Sequence, residues 1–192
     1  MKYPSGTEFI NKKHINYANR GMRLEEDINL TNEYYRRKDI AYIYKKPTPI
    51  KIIKVSYDSL KSGIIKEAYF EMPSTTDYNG IFKGRYVDFE AKETKNKTSF
   101  PLDNIHKHQI KHMMDVTRHD AICFLIVRFT SLNETFLLLS QDLELFLKKE
   151  KRNSIPLAYF KENGYLIEEK YEPRIDYIKV IEKIMEVYKN ER

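Results

Sequence analysis

Between Tyr86 and Lys92 the chain alternates strictly: Val87, Phe89 and Ala91 fall on one side of an extended segment, and Asp88, Glu90 and Lys92 on the other. The period predicts a strand with one buried face and one face carrying two acids and a lysine. Upstream, Leu24, Ile28, Thr31 and Tyr35 recur at helical spacing over residues 21–38. Glu25, Glu26 and Asp27 crowd the end of that helix where the macrodipole is positive. Residues 41–44 read as a strand, after which Pro47 and Pro49 interrupt regular structure. Two β-rich runs, 50–55 and 64–70, flank a turn-like stretch at 57–63, so a protruding hairpin or loop is expected there.

Downstream the pattern predicts a helix over 106–117, an apolar strand over 121–129, a strand over 135–139 and a short helix over 141–149. Ile175, Ile178, Ile181, Met185 and Tyr188 mark an amphipathic C-terminal helix entered just after Pro173. Residues 1–18 mix polar and aromatic side chains around Pro4 and Gly6 without periodicity, and read as an arm either disordered or fastened only by a partner. The whole, 192 residues with no internal repeat, fits one domain, 1–192. The longest apolar run, 121–127, is far short of the ~20 residues a bilayer span needs. The N-terminus also lacks the apolar segment of a secretory signal, so a cytoplasmic protein without a membrane partner is expected. Cys123, inside the apolar run, reads as a small buried hydrophobe.

Charge changes the picture in one place. The net +6 is mild, but residues 45–66 hold six lysines (45, 46, 51, 54, 61 and 66) against one acid, Asp58, which leaves +5 in a single segment. Such a segment suits a polyanionic partner. It equally suits a solvated edge that discourages sheet aggregation.

The chemistry gathers around Asp77, thirteen residues before Glu90, which is followed by Ala91 and Lys92. Strand geometry puts Glu90 and Lys92 on one face about 7 Å apart, and Asp77 can reach that face from a hairpin. Two carboxylates suit a hard cation such as Mg²⁺, which takes oxygen ligands and keeps several waters. Such a cation generates a nucleophile from water and polarises a phosphoryl oxygen, while an adjacent ammonium stabilises the charge of the transition state. The spacing alone is common by chance, and a turn aspartate beside a solvated strand face explains it as well. His106, His108 and His112 offer an i, i+4 pair without a convincing third zinc ligand.

The flanking sequence decides the matter. Residues 74–80, Ser-Thr-Thr-Asp-Tyr-Asn-Gly, followed by Gly84-Arg85-Tyr86-Val87-Asp88-Phe89-Glu90-Ala91-Lys92-Glu93-Thr94, resemble the RecU family of bacterial Holliday junction resolvases. Asn19-Arg20-Gly21-Met22 leading into Leu24-Glu25-Glu26-Asp27 resembles that family's first helix, and His108-Gln109-Ile110 its post-catalytic helix. The resemblance covers roughly residues 15–170.

It implies an α/β fold, a restriction-endonuclease-like core of a mixed sheet flanked by helices, with a basic stalk inserted at about 46–65. It also implies Mg²⁺ (or Mn²⁺) ligation by Thr75, Asp77, Glu90 and Gln109, with Lys92 as transition-state stabiliser. The implied activity is structure-selective cleavage of four-way junction DNA in recombination and repair, by a homodimer associated with the strand-exchange protein RecA. Arg20 and Glu25 stay outside the implied site. Two other readings compete: a sequence-specific endonuclease of the same fold, which would read base edges, and a non-catalytic nucleic-acid binder using its 15 tyrosines and 10 phenylalanines. The latter gives no reason for Asp77, Glu90, Lys92 and Gln109 to occur together.

Overall fold

A computed structural model describes residues 24–59, 62–71 and 75–190; the expected arm, Asn19 to Met22 and Ser74 lie outside the described residues. In chain order the elements are α1 (Leu24–Arg37), β1 (Tyr42–Lys45), β2 (Ile50–Ser59), β3 (Ser62–Phe70), β4 (Tyr78–Phe82), β5 (Arg85–Thr94) and β6 (Ser99–Pro101). Then follow α2 (Lys107–Thr117), β7 (Ile122–Phe129), β8 (Glu134–Leu139), α3 (Ser140–Lys149), β9 (Ser154–Pro156), α4 (Leu157–Asn163), β10 (Tyr165–Ile167) and α5 (Tyr177–Asn190). Six strands form one sheet in the order β1-β4-β5-β7-β8-β10. β5 and β7 run parallel, linked by the crossover that contains α2, and the other pairs are antiparallel. This is the mixed sheet flanked by helices expected of a restriction-endonuclease-like core. Among the described residues no helix is long and apolar enough to cross a membrane.

All eight residues of β7 are buried, as a strand covered on both faces must be. On one face Leu24, Ile28 and Tyr35 of α1 join Tyr177, Ile178 and Ile181 of α5 against Val87, Phe89, Phe124 and Ile126. On the other, Met113 of α2, Leu143 and Phe146 of α3 and Phe160 of α4 meet Cys123, Leu125 and Val127. Each such side chain contributes roughly 1.5–3 kcal/mol through burial. Cys123 is buried and unpaired, as its apolar context predicts. The N-terminus of α1 is locked to the C-terminal half of the chain: Asp27 takes Arg128 at 2.6 Å and Arg174 at 2.9 Å, and Thr31 Oγ1 accepts the Ile175 amide at 3.1 Å.

One column of rings fixes the part of the sheet that matters most. Tyr78 stacks on Phe89 at 4.8 Å and Phe89 on Phe124 at 4.7 Å, with Tyr177 capping the pair. Tyr78 opens β4, so the column holds that strand's first residue, and with it Asp77, against β5.

From Tyr78 onward the chain after Asp77 is a strand rather than the turn that an aspartate in this setting suggests. Tyr78–Phe82 is a strand because Tyr78 and Phe82 are buried and because both its edges are paired, to β1 and β5. Gly80 is there for close approach, since a Cβ at this position would lie 2.0 Å from the Tyr42 carbonyl oxygen on β1. The true turn is Lys83-Gly84, both at positive φ (48° and 75°), the geometry of a two-residue hairpin. The expectation that β5 has one buried face also needs revision: Asp88 and Glu90 are each 0% exposed, because α2 covers the polar side.

Among the described residues β2 and β3 pair only with each other, and the hairpin continues past the expected segment to Phe70. Its side chains are largely exposed, Lys51, Lys54 and Lys66 alongside Ile52, Ile53, Tyr57, Ile65 and Phe70. Two lysines of the basic run are tied to the body of the fold instead: Lys46 turns in to the buried Asp88 at 2.8 Å, while Lys45 pairs with Glu25 at 2.5 Å on the surface.

Candidate active site

The β4–β5 register places Tyr78 opposite Phe89 and so brings Asp77 abreast of Glu90. The Asp77 amide donates to Glu90 Oε2 at 3.1 Å. From the other side, the Lys46 amide donates to the Asp77 carbonyl at 2.7 Å, extending the β1–β4 ladder by one residue. Lys92, two residues along the same face, sets its Nζ 2.6 Å from Glu90 Oε1. The structure thus brings Asp77, Glu90 and Lys92 together. Thr75 lies two residues before Asp77, with its hydroxyl donating to the Thr76 carbonyl at 3.4 Å. Gln109 is buried on the first turn of α2, where its Oε1 accepts the His106 amide at 3.0 Å, the back-reaching half of a capping box. That places Gln109 as a helix-starting residue, with one lone pair of Oε1 already used.

Burial, followed by the neighbouring Asp77, pushes the Glu90 carboxyl up to about 8 against the opposing pull of Lys92. Glu90 Oε1 meets the Lys92 ammonium but has no aligned hydrogen-bond donor among the described residues. A buried carboxylate in that state has a lone pair left over, which a divalent cation can take. Among the described residues no three His, Cys, Asp or Glu side chains converge on one point. A cation here would take two carboxylates and fill its shell with neutral oxygens and water, the composition Mg²⁺ favours. The donor set fits the metal.

The raised pKa has a measurable consequence for the metal-free protein. Below the ordinary carboxylate range the folded and unfolded chains both hold the proton. As pH climbs from there to about 8, the unfolded chain ionises while the fold resists, so Glu90 costs stability progressively through that window. Glu90→Gln removes the cost. In EDTA the variant should melt at or above the wild-type temperature, with a gap that widens by a few degrees from about pH 5 to about pH 8. A gap independent of pH would refute the assignment of the shift to Glu90.

A second cluster, unforeseen from the sequence, lies beside the first. Asp88 is buried with its Oδ2 2.8 Å from Lys46 Nζ, 2.9 Å from Tyr86 Oη and 3.4 Å from His112 Nε2, while Thr76 Oγ1 donates to Oδ1. Lys46 Nζ also donates to Thr76 Oγ1 at 3.0 Å. Tyr86, pushed up to about 12 chiefly by burial and further by Asp88, keeps its proton and donates it. The alternation of β5 already put Asp88 on the face of Glu90 and Lys92. Lys46 carried no such signal, being one lysine in a basic run. Of the three histidines, only His112 approaches a carboxylate within this cluster; His106 stacks on His108 at 5.3 Å.

Known proteins match the chain closely. The family model for RecU, described as Recombination protein U, matches residues 19–183. A protein of Geobacillus sp. (strain WCH70) called Holliday junction resolvase RecU is 54% identical over 96% of this chain and 97% of its own length. Proteins of the same description from Geobacillus thermodenitrificans and Bacillus thuringiensis are 51% and 48% identical, each over 96% of this chain and over 97% and 98% of their own lengths. Among solved structures, Hjc of Archaeoglobus fulgidus, a Holliday junction resolvase, is a distant likeness: TM-score 0.41 and 10% identity, over 72% of this chain and 93% of that one. A family match across most of the chain and relatives about half identical over nearly all of it leave one reading: this chain belongs to the RecU family.

Proposed function

We propose that the protein is a Mg²⁺-dependent endodeoxyribonuclease that resolves four-way DNA junctions in recombination and DNA repair, in the cytoplasm, with RecA as a partner in that process. The observation that carries the chemistry is the buried Glu90 carboxylate with the half-buried Asp77 abreast of it and the Lys92 ammonium 2.6 Å away. The junction as substrate rests on family membership and on what the relatives are called. Asp77 and Glu90 would hold the metal, with Thr75 and Gln109 as neutral oxygen donors direct or through water. The metal, which Mn²⁺ can replace, supplies a water of lowered pKa and a polarised phosphoryl oxygen.

Lys92 performs the chain's own share of the chemistry. Its ammonium, fixed by the strand, faces the charge that develops on the phosphorane oxygens and costs little reorganisation when that charge appears. Glu90, ionised once a cation is bound, keeps Lys92 from swinging away.

The hairpin of β2 and β3 is the proposed junction-engaging stalk. Replacing residues 50–70 by a short Gly/Ser turn should leave the sheet folded, since those strands pair only with each other. Junction binding should weaken, with the salt slope falling by roughly 0.9 for each of Lys51, Lys54 and Lys66 that contacts a phosphate. Preference for junctions over linear duplex should fall as well. A folded deletion variant with unchanged slope and preference would make the hairpin a solvated appendage.

Resolution requires two cuts on strands of like polarity, and two identical sites about a two-fold axis provide them. A homodimer at micromolar concentration is therefore expected by light scattering. A monomeric mass from a preparation that resolves junctions would contradict it. The nuclease reading itself is tested by adding Mg²⁺, then excess chelator, to protein with a synthetic junction and with a linear duplex of the same sequence. Cleavage should require the metal and favour the junction.

A further inference from the structure

Asp88 is fully buried and lies two residues before Glu90 on the same face of β5. Burying a carboxylate is costly unless every lone pair is met, and here each oxygen is engaged. Thr76 Oγ1 donates to Oδ1, while Lys46 Nζ at 2.8 Å and Tyr86 Oη at 2.9 Å take Oδ2. Those partners argue against direct metal ligation, because both oxygens of this carboxylate already accept hydrogen bonds, whereas Glu90 Oε1 has no aligned donor among the described residues. They also share a property: Thr76 stands between Thr75 and Asp77, and Lys46 binds the same loop twice. Its Nζ reaches Thr76 Oγ1 at 3.0 Å and its amide reaches the Asp77 carbonyl at 2.7 Å. The segment that must present Thr75 and Asp77 is therefore pinned to β5 through one buried carboxylate.

Lys46 is also the last residue before Pro47 and the chain that leads into the hairpin. The same contact thus fixes the root of the hairpin to the floor of the site.

We propose that Asp88 is a positioning residue of the nuclease site, acting through Thr76 and Lys46 to hold the Thr75–Asp77 loop in the geometry that receives the cation. The inference rests on the metal-dependent reading above. Loss of the clamp raises the metal concentration the site needs without touching the groups that carry out the reaction.

The test uses the full chain and Mn²⁺ binding measured by calorimetry without DNA, on Asp88→Asn, Thr76→Val, Thr76→Ser and Asp77→Asn. Thr76→Val and Asp88→Asn should each weaken Mn²⁺ binding by about 10–100-fold, the usual effect of losing a partner that orients a ligand. Thr76→Ser should restore it. Junction binding in EDTA should match wild type, and cleavage at saturating metal should return close to the wild-type rate, a split that general loss of structure does not produce. If Asp88→Asn is unfolded because Lys46 is left unpaired, the Thr76 pair still decides the matter. Unchanged Mn²⁺ affinity in folded Thr76→Val overturns the clamp, and so does Asp88→Asn abolishing binding as completely as Asp77→Asn while Thr76→Val has no effect, which would make Asp88 a ligand. Asp77→Asn with intact Mn²⁺ affinity instead overturns the underlying metal reading, a failure distinct from that of the clamp.

Discussion

Replacing Asp77 or Glu90 by alanine should reduce junction cleavage by at least about a thousandfold while junction binding in EDTA stays within a fewfold of wild type. Each carboxylate would contribute several kcal/mol to the transition state through the cation it holds, at about 1.4 kcal/mol per decade of rate. Binding should survive because neither side chain belongs to the exposed lysines of the hairpin, and because Asp77 reaches Glu90 with its backbone amide, which alanine retains. The check is single-turnover cleavage beside a gel-shift titration of the same preparations. Glu90→Ala leaves Lys92 without its carboxylate, but Lys92 is about a quarter exposed and can turn to water. Cleavage near the wild-type rate in either variant would remove that residue from the site.

Lys92→Ala should fail differently. Its ammonium would act on the transition state alone, so its loss should slow the chemical step by about 10²–10³-fold, the usual effect of removing one such donor. Metal affinity should hold, because alanine leaves both carboxylates and the Asp77 amide in place. Glu90 should then titrate higher still in the metal-free protein, since Lys92 is the group that pulls its pKa down. Single-turnover rates at saturating Mg²⁺, set beside Mn²⁺ calorimetry, separate the two quantities. A variant that no longer binds metal would make Lys92 an organiser of the carboxylates.

Much of this arrangement was legible in the sequence because two periods are hard to mistake. The alternation from Tyr86 to Lys92 placed Glu90 and Lys92 on one face, and the 3.6-residue spacing of Leu24, Ile28, Thr31 and Tyr35 marked the buried side of α1. What escaped were elements set by tertiary pairing. β4 is short, carries Asn79 and Gly80, and becomes a strand only because β1 and β5 bind it on both edges. β10 and α4 are short for the same reason, with only Ile167 and Phe160 buried. Asp88 looked like a solvated strand residue, since nothing local to it announces that Lys46, more than forty residues earlier, arrives to pair with it. Gln109, nominated by resemblance, is seen locally as the residue that starts α2. The basic run was legible as charge but not as placement: Lys46 turns inward to Asp88 and Lys45 is paired with Glu25 at the surface, so only part of the positive charge is offered to a partner.

The most direct test of the Asp77–Glu90–Lys92 site as a junction-resolving nuclease is strand-by-strand mapping of the products formed from a four-way junction, each strand labelled in turn, in Mg²⁺. The account predicts nicks in pairs, at symmetric positions on two opposed strands of like polarity, carrying 5′-phosphates and absent with Glu90→Ala. Protein that binds the junction in a shift assay yet leaves every strand intact across millimolar Mg²⁺ and Mn²⁺ would contradict it.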